Sequence, residues 1–402
     1  MTESNPLLSP GIKRQFQIYE AGLQGRAPAH PISVDELARR AEEVLAPEAF
    51  GYLAGGAGAE ETMRSNREAF RRRRIVPRML RDVSRRDTGV EVLGMRLPAP
   101  LMLAPIGVQS ILHEQAELAV ARAAAALGVP MILSTASSRT IEEVAAAMGD
   151  APRWFQLYWP RSDELAASFL RRAEAAGYRA VVVTLDTYLL SWRERDLQHA
   201  YLPFLRGEGV ANYYSDPVFR AEAGVDPVRE PGRAFEHFAH VFSDPSRTWA
   251  DLARLREATR LPILLKGVLH PDDARRAVDQ GAAGVVVSNH GGRQLDGAVA
   301  ALDALPGVVD AVGDRAAVLF DGGIRRGADV LKAMALGARC VLLGRPYCYG
   351  LAVGGEQGVR DVLANLEADI DLTLGLSGCA SFAELGRGHL VESRSDPSAT
   401  VP

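Results

Sequence analysis

Eight short runs of nearly uninterrupted apolar residues recur along the middle of the chain, and this rhythm constrains the fold more than any other feature. They are PLMLAP (100–105), PMILST (130–135), RWFQLY (153–158), RAVVVTLD (179–186), PILLKG (262–267), AGVVVSN (283–289), AVLFDGG (317–323) and CVLLGR (340–345). A strand wetted on one face alternates apolar and polar residues, so continuous apolarity means strands covered on both faces, as in a parallel sheet. Parallel strands need crossovers, and helical patterns supply them at 114–128, 163–177, 271–281 and 327–337. Several of these end on glycine, as a helix C-terminus prefers. Eight strand–helix units over roughly 250 residues predict an α/β fold, a TIM (β/α)8 barrel beginning near residue 100. A doubly wound open sheet is the alternative, but no GxGxxG opens a helix after the first run. The nearest string, GGAGAE (55–60), lacks the last glycine and precedes the strands.

Two segments fall outside the repeat. Residues 1–95, with helical patterns at 34–46 and 47–55, form a helical segment expected to pack on the barrel. The connection from Asp186 to about Trp249 far exceeds an ordinary βα loop, and such loops are usually lids. It carries Tyr201, Phe204, Tyr213, Tyr214 and Phe219, and no long regular structure is expected within it apart from a short helix at 233–242. The predicted organisation is a barrel over 96–385, including a lid at about 194–248, followed by a tail at 386–402.

Bulk properties exclude several classes. A net charge of −4 over 402 residues gives no footprint for nucleic acid, and the basic stretch FRRRRIVPRMLRDVSRRD (70–87) reads as a solvated or subunit-contacting segment. Cys340, Cys348 and Cys379 make an odd count without metal-ligand spacing, which favours a reducing compartment. MTESNPLLSP lacks the pattern of a signal peptide, and nowhere do eighteen apolar residues run together, so a cytoplasmic chain with no membrane partner is expected.

The working residues of a TIM barrel lie at the C-terminal ends of its strands. Here those ends deliver Pro105, Ile106 and Gly107; Ser134; Gln156 and Tyr158; Thr184 and Asp186, with Arg193 just beyond. They are followed by Lys266; Ser288, His290 and Arg293; Asp321, Gly322, Gly323 and Arg325; and Gly344 and Arg345. The turns after strands seven and eight are where barrels bind phosphate, and DGGIRRG offers glycines for close backbone approach with Arg325 or Arg345 for charge-assisted contact. Arg193 and Arg293 can grip a carboxylate in bidentate fashion, which a lysine cannot do. With His290 oriented by Asp186, and with Tyr52 and Tyr158 as phenolic donors, this is equipment for deprotonating a 2-hydroxy acid. Two electrons then need an acceptor, and a phosphate-bearing cofactor beside Lys266 fits that need. His237 and His240 in FEHFAH have helical spacing, but an amphipathic lid helix explains them without a metal.

The strings SNHGGRQLDG, LLKG, FQLY, DGGIRRG, LGRP and YLAGGAGAEET, in this order over about 35–385, resemble the FMN-dependent 2-hydroxy-acid oxidase and dehydrogenase family. The resemblance implies FMN on Pro105, Ile106, Gly107, Ser134, Gln156, Thr184, Lys266 and Ser288. It places the phosphate on Asp321 to Arg325 and Gly344–Arg345. It implies His290 as catalytic base supported by Asp186, Tyr158 at the substrate hydroxyl, and Arg193, Arg293 and Tyr52 on the carboxylate. It also implies O2 as co-substrate and a homotetramer or homo-octamer.

Within that family the lid string RDLQHAYLPFLRGEGVANYYSDPVF (195–219) and the small Gly107 resemble the lactate 2-monooxygenase branch. That branch converts lactate and O2 to acetate, CO2 and water behind a closed lid. Ala136 and Leu190 depart from it where relatives carry larger or aromatic groups, and both are expected to border the substrate side chain. Substrates larger than lactate follow as an expectation, with release of the 2-oxo acid and H2O2, or reduction of another acceptor, as the alternative outcome. An IMP dehydrogenase-like barrel shares a DGGIR-like turn but needs a loop cysteine, and all three cysteines here fall at or after the eighth strand.

Overall fold

A computed structural model of the protein describes residues 9–393. Each apolar run holds one strand: β1 (Leu101–Leu103), β2 (Met131–Ser134), β3 (Arg153–Tyr158), β4 (Val181–Thr184), β5 (Ile263–Val268), β6 (Gly284–Val287), β7 (Ala317–Phe320) and β8 (Cys340–Leu343). Each pairs in parallel with the next, and β8 closes on β1 with Val341 opposite Leu101. The closed ring is the TIM barrel that the rhythm predicts, not an open sheet.

Both faces of the strands are buried, each in its own way. Leu103, Leu133, Phe155, Val183, Leu265 and Val287 belong to the core shared with the surrounding helices. The alternate residues Met102, Ile132, Trp154, Val182, Leu264, Val286, Leu319 and Leu342 form a separate interior core, together with Val92, Met95 and Leu97 of a short hairpin. Side chains alternate with a period of two, so the next residues of the interior set are Ser134, Gln156, Thr184, Lys266, Ser288 and Asp321. The polar mouth of the barrel is thus the continuation of its apolar interior.

The N-terminal segment contains the two expected helices, Val34–Val44 and Pro47–Ala54, and two more, Pro10–Leu23 and Glu61–Arg72. A long helix, Arg345–Leu376, breaks at Gly354–Gly355 and packs against Ala116–Leu127, Pro10–Leu23 and Val34–Val44. Part of the basic stretch is paired internally: Arg72 and Arg73 reach Asp303 at 2.5 and 2.6 Å, and Arg86 reaches Asp371 at 2.8 Å. Arg73–Ile75 pairs with Leu390–Glu392, while residues 394–402 of the expected tail lie outside the described residues. No described helix is long and apolar enough to cross a membrane.

The lid adds short elements to the sequence reading. Besides the expected helix, found at Pro231–Val241, it contains Glu194–Gln198, Ala211–Tyr214 and Pro217–Ala223 and a 3-10 turn at Pro203–Arg206. These pieces are too short to show amphipathic periodicity. They are held instead by aromatic contacts distant in sequence: Tyr213 lies 5.0 Å from Phe169 and 4.9 Å from Phe238, and Phe242 lies 5.1 Å from Tyr158.

Candidate active site

The cavity at the barrel mouth brings together residues from both parts of the chain. Its lining includes the backbone from Pro105 to Val108, the run from Asp321 to Arg325, Gly344 and Arg345, and the side chains of Tyr52, Tyr158, Arg193, Lys266, His290 and Arg293. Tyr52 comes from the helix Pro47–Ala54, so the N-terminal segment supplies one wall.

His290 follows β6 directly, and its Nδ1 lies 2.8 Å from Asp186 Oδ1 and 3.2 Å from Thr187 Oγ1. Asp186 approaches closely because Gly267, at a bulge in β5 with φ +101°, has no side chain: a Cβ there would lie 2.8 Å from Asp186 Cβ. Burial pushes the His290 pKa down, and Lys266 adds to that, outweighing the opposing pull of Asp186. Burial works the other way on Asp186, but His290 and Lys266 hold its carboxyl below the usual range. The resting dyad is therefore a neutral imidazole against a carboxylate, the state in which Nε2 can accept a proton.

Beneath the dyad, Lys266 Nζ donates to Ser288 Oγ at 3.0 Å, and Ser288 Oγ donates to Asp321 Oδ1 at 2.5 Å and accepts from the His290 N–H at 3.0 Å. Burial works against the Lys266 charge, yet Asp321 and Asp186 keep its pKa above the ordinary value. Ser134 donates to Gln156 at 3.0 Å, and Gln156 Nε2 donates to Thr184 Oγ1 at 2.9 Å, forming a buried polar chain across β2, β3 and β4. Tyr158 is pushed up to about 12 by burial and stays a protonated donor.

Arg293 and Arg345 both donate to the Gly55 carbonyl, at 2.7 and 2.8 Å, and Arg193 donates to the Arg293 carbonyl at 3.2 Å and to Gln294 at 2.8 Å. Burial, then the charges of Arg193 and Arg345, push Arg293 down to about 9, and burial pushes Arg325 down to about 10. None of Arg293, Arg325 and Arg345 has an ion-pair partner among the carboxylates of the described residues. Buried cations lacking carboxylates of their own make this cavity a receptor for anions.

Two expected substrate contacts lie elsewhere. Ala136 is buried directly behind Gly107, where a Cβ added to the glycine would come within 3.0 Å of its own. Leu190 is 67 % exposed and does not line the cavity, because Leu189, Leu190 and Trp192 face outward on the loop that leads to Arg193. Thr184 and Asp186 border a neighbouring cavity beside Trp159 and Trp249.

Sequence reasoning missed Asn212, which is fully buried in the lid. Its Nδ2 donates to Thr135 O at 3.2 Å and Ser137 Oγ at 2.9 Å, and its Oδ1 accepts from Ile141 N at 2.9 Å. Glu208 of the lid accepts from Ser110, which lies 2.8 Å from Ser138. The lid is thereby tied to the two loops behind the cavity. Polar residues inside an aromatic-rich lid were the available signal.

A cation-lined barrel mouth with an oriented imidazole defines a class of oxidoreductase, and the chain belongs to the FMN-dependent dehydrogenase family, whose model matches residues 41–392. It is 45% identical to the FMN-dependent alpha-hydroxy acid dehydrogenase qulF of Penicillium citrinum, over 93% of this chain and 94% of that one. It is 44% identical to an L-lactate oxidase of Lysinibacillus sphaericus, over 90% and 93%. A 4-hydroxymandelate oxidase of Amycolatopsis orientalis is also 44% identical, over 89% and 97%. The crystal structure of a mandelate oxidase superposes with a TM-score of 0.79 at 42% identity, covering 90% of this chain and 98% of that one. The protein is an FMN-dependent 2-hydroxy-acid oxidoreductase.

Proposed function

We propose that the enzyme oxidises an L-2-hydroxy acid under a closed lid, in a lactate 2-monooxygenase-type reaction that turns lactate and O2 into acetate, CO2 and water. The observation that carries this reading is the lid itself, fastened by Asn212 and Glu208 to the loops behind the cavity. A product held behind such a lid stays in place for a second reaction with peroxide.

In this reading the cavity suits FMN: backbone groups from Pro105 to Gly107 and Lys266 face the ring system, with Ser134, Gln156, Thr184 and Ser288 in the polar layer beneath. The Gly322–Ile324 backbone, the Arg325 guanidinium and the Gly344–Arg345 turn would hold the phosphate, while the Arg325 N–H is committed to Asp329 and the Asp321 carboxylate to Ser288 and Lys266. FMN supplies the two-electron acceptor. Arg193, Arg293 and Tyr52 grip the substrate carboxylate, Tyr158 donates to the hydroxyl oxygen, and His290 Nε2 takes the hydroxyl proton. Asp186 then stabilises the imidazolium at Nδ1.

A second reading is an oxidase that releases the 2-oxo acid and H2O2 from a larger substrate. The lactate and mandelate oxidases among the relatives favour it. Gly107 does not discriminate between the two, because contact with Ala136 requires a glycine there in either case.

Assembly as a homotetramer or homo-octamer is supported by the exposed apolar run Tyr188, Leu189, Leu190 and Trp192. Three buried free cysteines support a cytoplasmic setting.

The deciding experiment is anaerobic mixing of the yellow enzyme with a 2-hydroxy acid, followed by product analysis in air. Bleaching, then acetate and CO2 without accumulated peroxide, supports the first reading; stoichiometric peroxide with intact 2-oxo acid excludes it. His290→Gln keeps the colour and loses the bleaching, and unchanged bleaching would remove His290 from the base role.

A further inference from the structure

His290 carries backbone strain at the centre of the site. Its φ is +57°, in the left-handed region that non-glycine residues rarely occupy, and Gly291 and Gly292 follow at +64° and +77°. Such a conformation persists only where the surroundings enforce it.

The enforcing contacts run through Asn289, one residue earlier. Its Oδ1 accepts from the Gly292 N–H at 3.2 Å, and its Nδ2 donates to the Val299 carbonyl at 3.1 Å, so one side chain spans the loop that carries the base. That side chain is itself held by Asn66, from the helix Glu61–Arg72. Asn66 Nδ2 donates to Asn289 Oδ1 at 2.8 Å, and Asn289 Nδ2 donates to Asn66 Oδ1 at 2.8 Å. Asn66 Oδ1 also accepts from the Ala301 N–H at 3.0 Å, where the following helix begins. Backbone donors thus fix which amide atom of Asn66 faces which partner. Both asparagines are buried, at 2% and 5% exposure. Asparagine is a poor residue for the interior of a helix, so the helix itself gains nothing from Asn66.

We propose that Asn66 is a positioning residue for the base: its reciprocal amide pair with Asn289 holds the His290 backbone in the left-handed conformation that presents Nδ1 to Asp186. The proposal rests on the reading of His290 as the base. Asn66 does not line the cavity, although it packs behind the Gly322–Gly323 turn; it acts on His290 through Asn289.

The test compares wild type, Asn66→Ala, Asn289→Ala, the double variant and His290→Gln as FMN-loaded enzymes. Anaerobic bleaching at saturating 2-hydroxy acid slows by roughly tenfold to a hundredfold in Asn66→Ala, the range expected for a misplaced catalytic group. KM changes less than kcat, because Arg193 and Arg293 have their own anchors on Gln294 and Gly55. The double variant is no slower than the worse single variant, as expected of residues acting as one unit. Independently of turnover, the low-field proton of the His290–Asp186 hydrogen bond, seen by NMR, is lost or shifted in Asn66→Ala. A merely structural role lowers Tm and leaves the bleaching rate and this resonance unchanged, and that result overturns the proposal. Should Asn66→Ala not fold, Asn66→Ser, which keeps a polar group at the Ala301 amide, is judged by the same criteria. If His290→Gln bleaches normally, the base assignment fails instead, and the resonance still decides whether Asn66 positions the ring.

Discussion

The Arg293 guanidinium lies 5.2 Å from the centre of the Tyr52 ring, joining the loop after β6 to a helix that precedes the barrel by half a hundred residues. A cation resting on an aromatic face keeps its in-plane N–H groups available, and only one of them is spent on Gly55. The carboxylate grip proposed for Arg293 therefore depends on a planar cation.

Arg293→Lys tests this dependence. An ammonium cannot reproduce the fork, and loss of a charge-assisted contact is worth about 1.5–3 kcal/mol. Steady-state kinetics are expected to show kcat/KM falling by roughly tenfold to a hundredfold, chiefly through KM.

Asp186→Asn preserves shape but removes the charge facing Nδ1. The neutral imidazole is then no longer matched by a stabilised imidazolium, and flavin bleaching is expected to slow by at least about a hundredfold while the protein stays yellow. A rate near that of wild type would show that Asp186 only orients the ring.

The pH dependence follows from burial of the same dyad. In the proposed base role His290 acts when neutral, and burial lowers its pKa from the ordinary 6.5. The kcat/KM profile is therefore expected to stay level as pH falls through 6.5 and to drop only below it. Tyr158, pushed up to about 12, adds no alkaline limb in the neutral range.

Asp371→Asn addresses stability rather than catalysis. Arg86 donates to both Asp371 oxygens, at 2.8 and 2.9 Å, and the Gly11 N–H donates to Oδ2 at 3.0 Å, tying the first helix to the last. Removing one partner of a buried pair leaves the other charge uncompensated, at a cost of about 3–5 kcal/mol measured by denaturant unfolding. The Asp371 carboxyl is held below its ordinary pKa, against burial, by Arg86, Ser9 and Gly11. Its contribution is thus present above the ordinary carboxylate range and is lost as pH falls through the lowered value.

The barrel was legible because burial on both faces leaves a composition signal within each strand, from Leu101 to Leu343. The strand ends were legible for the same reason: parity carries Trp154 to Gln156 and Leu264 to Lys266. The short lid helices were not, since Ala211–Tyr214 packs through Tyr213 on Phe169 and Phe238, and Pro217–Ala223 is capped by Asp216, which Ser168 and Arg172 hold from afar in sequence. Prolines at the starts of Pro203–Arg206, Pro217–Ala223 and Pro231–Val241 were the local sign of those helices. Asn66 and Asn289 escaped notice because their meaning lies in each other; an asparagine inside ETMRSNREAF was the visible oddity. Leu190 shows the limit of assigning contacts by position in a string, since its neighbours Ser191 and Arg193 turn toward Arg293 while it faces outward.

The contact between Gly107 and Ala136 leaves little freedom on either side. A methyl group at position 107 would lie 2.5 Å from the Ala136 carbonyl oxygen, which accepts the Val108 N–H at 2.8 Å, and Ala136 is itself buried. The loops that follow β1 and β2 are therefore tied at one backbone point, and neither can be remodelled without carrying the other with it.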